Sequence, residues 1–316
     1  MTALLLALLS ASPAPAPKTE RWSAPSRELL EEGWAHDGEW KTATLELDGV
    51  LVRVLLEKAA HPATSDDVLL YWLESRAKCV ARYYGKFPVK DLIIRVERDS
   101  GHGVSDGVTY QGRRIRIDVG LDTTEQELAD DWVLVHEMFH TGFPDLDESY
   151  HYLEEGLSTY LEPIARTRAG LLPASETWRS YYEGLPKGLP RPGDQGLDKT
   201  HSWGNTYWGG CRFWLLADLE IRDRTHNSKS LDDAIRALVA AGGDGSSHWD
   251  LEKVIQVGDE ATGTTVLHDL HVSMGNRPVR TDLDALWKKL GVSEAGDELK
   301  LDDDAPKAAL RRAIAH

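Results

Sequence analysis

His136 and His140, with Glu137 between them, constrain this chain more than any other feature. On a helix, residues at i and i+4 stand on one face, so both imidazoles can reach a single metal ion. Glu137 follows the first histidine directly and can orient a water on that ion. Zinc takes compact nitrogen and oxygen donors in a tetrahedral array and keeps one position for water. Two donors come from this helix, so a third must come from elsewhere in the chain.

Fifteen residues past His140, the run Leu153-Glu154-Glu155-Gly156 offers that donor. A histidine six residues past the second one would mark a different class of site, but Leu146 stands there, and Phe143 replaces the glycine that class requires. Glu155 is therefore the expected third ligand, giving one zinc ion per chain on His136, His140 and Glu155. Glu154 is the adjacent alternative. Neighbouring helical residues point about 100° apart, so only one of the two faces the metal. Glu162 lies two turns beyond Glu155 and is expected to accept a hydrogen bond from a ligand histidine. Its other reading is a solvated surface carboxylate.

The flanking pattern is α+β. Residues 44–54 read as a hairpin turned at Asp48-Gly49, and Ser65–Tyr84 as an amphipathic helix closed by Gly85. Strands are expected at Asp91–Glu97, Val108–Tyr110 and Arg113–Val119. Thr124 and Glu127 form a capping box, opening one helix that runs through Trp132 into the histidine pair. Helices follow at Tyr152–Arg168, Tyr207–Arg224, Leu231–Ala241 and Asp282–Leu290. A Gly- and Pro-rich loop covers 184–205, and a short strand at Glu298–Leu301 precedes a terminal helix. This divides the chain into an apolar leader at 1–17, an α/β part at 18–122, a helical catalytic part at 123–291 and a C-terminal strand and helix at 292–316. The metal belongs in a cleft between the sheet and the helices.

Composition narrows the partners. The 316 residues carry a formal charge of −16 and no basic stripe, which argues against nucleic acid and against an anionic membrane. Met1–Pro17 is a short apolar run followed by small residues, as in a secretory signal, so a secreted or periplasmic location is expected, the other reading being a disordered apolar N-terminus on a cytosolic protein. The run is too short to span a bilayer, and no cysteine follows it to carry a lipid anchor. Cys79 and Cys211 are the only cysteines, and they are expected as buried, unpaired thiols, with a single disulfide as the alternative.

HEMFH followed by LEEGLSTYLEPIARTRAGLL resembles the gluzincin zinc peptidases, most closely the glycyl aminopeptidase family and more distantly the aminopeptidase N family. The likeness covers about residues 125–290. The flanking chain is too short for that family's large N-terminal β-domain and its PDZ module. The resemblance implies a thermolysin-like fold, a peptide or protein substrate, and Glu137 as general base. Tyr207-Trp208-Gly209-Gly210 resembles the family's Tyr-x-Lys-Gly segment, with Gly209 in place of lysine. It implies that Tyr207 donates a hydrogen bond to the oxyanion. These peptidases grip the substrate amine with a carboxylate on an edge strand about thirty residues upstream. Asp106 stands at that distance, although Asp106-Gly107 also reads as a turn. A zinc-bearing scaffold without activity, or a hydrolase of other amides or esters, are the competing readings.

Overall fold

Apolar residues in 40–57, 91–99 and 114–120, with a polar edge strand at 104–110, build a five-stranded sheet in the computed structural model, which describes residues 22–31, 33–36, 38–47, 49–296 and 298–316. The apolar leader at 1–17 lies outside the described residues. A short helix, α1 (Arg27–Glu31), precedes β1 (Trp40–Leu47) and β2 (Val50–Glu57), which pair as the expected hairpin. Helix α2 (Asp66–Tyr84) carries the chain across to β3 (Asp91–Asp99), parallel to β2. Ser65 caps its start and Gly85, at φ 83°, its end. Next come β4 (Val104–Tyr110) and β5 (Arg114–Gly120), which pair antiparallel, with β5 parallel to β3.

The strand order is β1-β2-β3-β5-β4, so β4 forms an edge. It is longer than its sequence suggests. Asp106 and Gly107 lie within the strand, beside a register shift, and not in a turn. The strand was hard to read because it is polar and half-exposed, with no alternating apolar set. One face of the sheet packs Val52, Val54, Ile94 and Ile117 against α2 and the helices beyond. On the other, Leu55 and Ile93 meet Leu29, Ala35 and Trp40 in a small second cluster.

The expected single helix into the histidine pair is two helices. Here α3 (Glu125–Asp130) ends and α4 (Val133–Phe139) begins at Asp131, whose backbone is extended. The Asp131 carboxylate accepts from the Val133 and Leu134 amides at 3.0 and 3.3 Å, which starts a new helix. The carbonyls at the end of α3 are taken by guanidinium groups: Arg76 binds Leu128 and Ala129, and Arg166 binds Asp130. His140–Gly142 continues α4 as a 3₁₀ turn.

The remainder is mostly helical. Helix α5 (His151–Arg168) runs through Pro163, and α6 (Ala174–Gly184) follows. A π-helical turn at Gly204–Gly209 leads into α7 (Gly210–Arg224). Then come α8 (Leu231–Ala240), α9 (Leu251–Thr262), α10 (Val266–Met274) and α11 (Leu283–Leu290). A hairpin of β6 (Val292–Ala295) and β7 (Glu298–Leu301) precedes α12 (Ala308–Ala315). One hydrophobic core joins sheet and helices, from Val52 to Ile314. Among the described residues, no helix is long and apolar enough to cross a membrane. Cys79 and Cys211 are free and buried, as expected.

The sequence reading missed α6, α9 and α10. Each is amphipathic, but their apolar stripes are broken by polar and small residues such as Ser175, Gly258 and Ser273.

Helices α5 and α7 meet backbone to backbone. A Cβ on Gly156 would fall on Gly210, and one on Gly210 would fall on the Tyr152 carbonyl. Gly156→Ala should therefore destabilise the protein by about 1–3 kcal/mol or more, as overpacked cores do. Chemical denaturation measures this, and an unchanged midpoint would mean that the contact tolerates separation.

Candidate metal centre

His136 and His140 project from one face of α4 and its 3₁₀ extension, their ring centroids 5.1 Å apart. Glu155 reaches them from α5. Its Oε2 lies 3.0 Å from His136 Nε2 and 3.6 Å from His140 Nε2. Donors about 2.1 Å from a tetrahedral ion stand about 3.4 Å from one another, so this spacing suits zinc. The donor set, two imidazoles and one carboxylate, is also a zinc set with one position left open. His136 is buried, and His140 and Glu155 are half-buried.

Glu154 is occupied elsewhere. Its Oε1 accepts the Leu146 amide at 3.0 Å, which turns it away and leaves Glu155 as the carboxylate grouped with the two histidines. The second oxygen of Glu155 faces His151, whose Nε2 lies 3.4 Å from Oε1 one turn back on α5. Burial pushes the Glu155 carboxyl up, but His136, His140 and His151 outweigh it and hold it far below the usual carboxylate range. Burial alone would lower His140, yet Glu155, helped by Glu137 and Glu154, raises it to about 9. The pair is thus strongly polarised. His151 was not anticipated, although its i,i+4 spacing from Glu155 is visible in the sequence.

Glu137 sits on the neighbouring face of α4 against the edge strand. Thr109 Oγ1 lies 2.8 Å from both the Glu137 carbonyl and Oε2, tying helix to strand through one hydroxyl. Gly107 makes room for this. A Cβ there would stand 2.8 Å from Glu137 Cγ and from Val133 Cγ1. Neither Thr109 nor Gly107 was singled out in the sequence, because their role depends on strand register.

Tyr207 rises from the π-helical turn, a distortion common at functional sites. Its ring stacks on His136 at 6.0 Å and 21°. Burial, then the Glu155 and Glu137 carboxylates, push its phenol well above the ordinary value, so the hydroxyl stays protonated and can donate. The phenol lies against Glu155.

Asp106 lines the same cleft, a cavity of about 660 Å³ that also exposes Glu137, His140, Glu155 and Tyr207. Its side chain is 56 % exposed, and Oδ2 accepts from Arg116 Nη2 at 2.5 Å. Arg116 also binds Asp118, so Asp106 shares its charge with a fixed cation.

The expectation for Glu162 is corrected. It is buried, and its hydrogen bond is with Arg166 Nη1, at 2.7 Å, rather than with a ligand histidine. Two turns keep it on the face of Glu155 but carry it about 10 Å along the axis, beyond the rings that Glu155 meets. Burial raises Glu162 to about 7 and Asp131, nearby, to about 6. His136 Nδ1 is buried with no hydrogen-bond partner among the described residues.

No family profile and no curated protein matches this sequence. Solved structures do match by fold. An aminopeptidase N family protein from Idiomarina loihiensis superposes with a TM-score of 0.63 at 14 % identity, over 83 % of this chain and 53 % of that one. A mutant zinc metallopeptidase of the M1 family from Deinococcus radiodurans, bound to a Tyr-Ser-Ala substrate, gives 0.51 at 14 %, over 77 % and 53 %. The chain spans about half the length of these proteins. Its fold is similar to that of these aminopeptidase and metallopeptidase structures.

Elemental analysis should find about one zinc per chain in the purified protein. His140→Ala and Glu155→Gln should lose it, whereas Glu162→Gln should retain it. Full zinc in His140→Ala would refute the assignment.

Proposed function

We propose that this protein is a secreted, zinc-dependent peptidase that hydrolyses peptide bonds, with free N-terminal peptides as the preferred substrates. The observation that carries this reading is the convergence, in one cleft, of the His136, His140 and Glu155 donors with Glu137 and Tyr207. Secretion rests on the apolar leader alone.

His136, His140 and Glu155 would hold the zinc ion, which would supply Lewis-acid chemistry at the substrate carbonyl and at water. Glu137 is the group that takes the proton from the attacking water and passes it to the leaving amine. Thr109 restrains the Glu137 carboxylate, so little reorientation is needed when the proton moves. Tyr207 keeps its proton and can donate to the oxygen on which charge develops. His151 and the two ligand rings hold both oxygens of Glu155.

The edge of β4, unpaired on its outer side among the described residues, runs beside Glu137 and suits an extended peptide, which would pair with the strand. This edge, the metal cleft and the helical half together support the thermolysin-like reading of the fold. In this reading Asp106 grips the substrate amine. Its bond to Arg116 weakens that grip, because the amine competes with a guanidinium already in place.

Zinc-loaded Glu137→Gln should remain folded and metal-bound but lose most of its activity against a peptide library. Wild-type turnover in this variant would remove Glu137 as the base. Tyr207→Phe should lower kcat by about 10²-fold with a smaller change in KM. Equal kcat values would return Tyr207 to a packing role. Acetylating the substrate N-terminus should slow cleavage, and Asp106→Ala should reduce that discrimination. If acetylated peptides are cut as fast as free ones, the amine anchor is wrong and internal cleavage is favoured.

A further inference from the structure

Trp132 and Trp203 are the exposed tryptophans among the described residues, at 52 % and 61 %. Single exposed apolar residues are ordinary, but exposed aromatic surface that is contiguous with a site marks a binding groove. Each stands four residues before a member of the site: Trp132 before His136, and Trp203 before Tyr207. That spacing puts each indole one turn away, on the side of its helix that faces the metal.

The rings are continuous. Trp132 meets His136 edge-on, with centroids 5.6 Å apart and planes at 89°. Tyr207 stacks on the His136 ring, and Trp203 stacks on Tyr207 at 5.7 Å and 28°. The four side chains form a row whose inner members belong to the site and whose outer members are open to solvent. Neither indole packs into the main core, and Trp132, which precedes α4, gives it no side-chain cap. Each has a ring contact with a ring of the site.

The cleft, which the row joins at Tyr207, has the opposite character. Asp106, Asp145 and Glu154 line it with carboxylates. A basic or amino group is best served there. The indole row offers flat, rigid, apolar surface beside two histidines that would hold a cation, which disfavours a second positive charge and favours a neutral apolar group.

We propose that Trp132 and Trp203 form a subsite for an aromatic or large aliphatic side chain of the peptide residue adjoining the cleaved bond. This rests on the peptidase reading of the same site. It adds a substrate class: peptides with a bulky apolar residue next to the scissile bond and positive charge toward the carboxylate-lined end.

The test compares matched peptides carrying Phe, Leu, Lys or Ser at each position flanking the cleaved bond. Wild-type zinc enzyme should favour Phe or Leu over Ser at one position by about tenfold in kcat/KM. The double variant Trp132→Ala/Trp203→Ala should lose most of that ratio, and Trp132→Phe/Trp203→Phe should keep it. A ratio unchanged in the double alanine variant overturns the proposal, as does an indole-dependent preference for Lys. Calorimetric binding of the Phe and Ser peptides to zinc-loaded Glu137→Gln, with and without the tryptophan substitutions, separates the subsite from the chemistry. Indole-dependent binding of the Phe peptide without turnover by the wild-type enzyme would sustain the subsite and refute the peptidase. Turnover without indole dependence would do the reverse. If the substitutions change only binding to phosphatidylcholine vesicles, the row is a membrane contact and the proposal fails.

Discussion

The backbones of α5 and α7 touch where Gly156 meets Gly210, and the geometry of the site follows from that contact. Glu155 immediately precedes Gly156, and Tyr207 lies three residues before Gly210. Any side chain at the crossing would push the helices apart. The carboxylate and the phenol would then no longer meet beside His136. Glycine is usually unfavourable inside a helix, by about 1 kcal/mol relative to alanine. Here that cost is offset by an approach that no other residue permits.

A second constraint fixes the histidine helix. Helix α4 has only seven residues, too few to be stable alone. It is held at its start by the Asp131 cap. Behind that cap, Arg76 and Arg166 tie the end of α3, and Glu162 pairs with Arg166. Charges buried this deeply are costly unless paired, and here each has a partner. The cluster acts as a rigid mount, so Glu162 supports the metal helix through its backbone and does not touch the histidine rings.

Much of the site was legible because its spacing follows from helical geometry. The i,i+4 pair and the Glu155 turn both come from helices whose faces can be read from one sequence. The chain's resemblance to the gluzincins then drew attention to Tyr207 and Asp106. What could not be read depends on contacts between elements. Thr109 and Gly107 matter only once β4 is registered against α4, and β4 itself lacks apolar alternation. The break at Asp131 was hidden because the apolar pattern continues across it, while the cap that causes it is a single carboxylate. Glu162 misled because sharing a helix face does not imply sharing a height along the axis. The sheet was read strand by strand, but its order, with β4 at the edge beside the cleft, emerges only from long-range pairing.

Two rigid mounts, α4 against β4 and α5 against α7, bring His136, His140, Glu137, Glu155 and Tyr207 together. The central claim is that His136, His140 and Glu155 bind one metal ion together. X-ray absorption at the zinc edge of the metal-loaded protein tests this most directly. The account predicts two imidazole nitrogens and carboxylate oxygen at about 2.0–2.2 Å, with one imidazole lost in His136→Ala. A sulfur shell, or a spectrum unchanged in that variant, would contradict it.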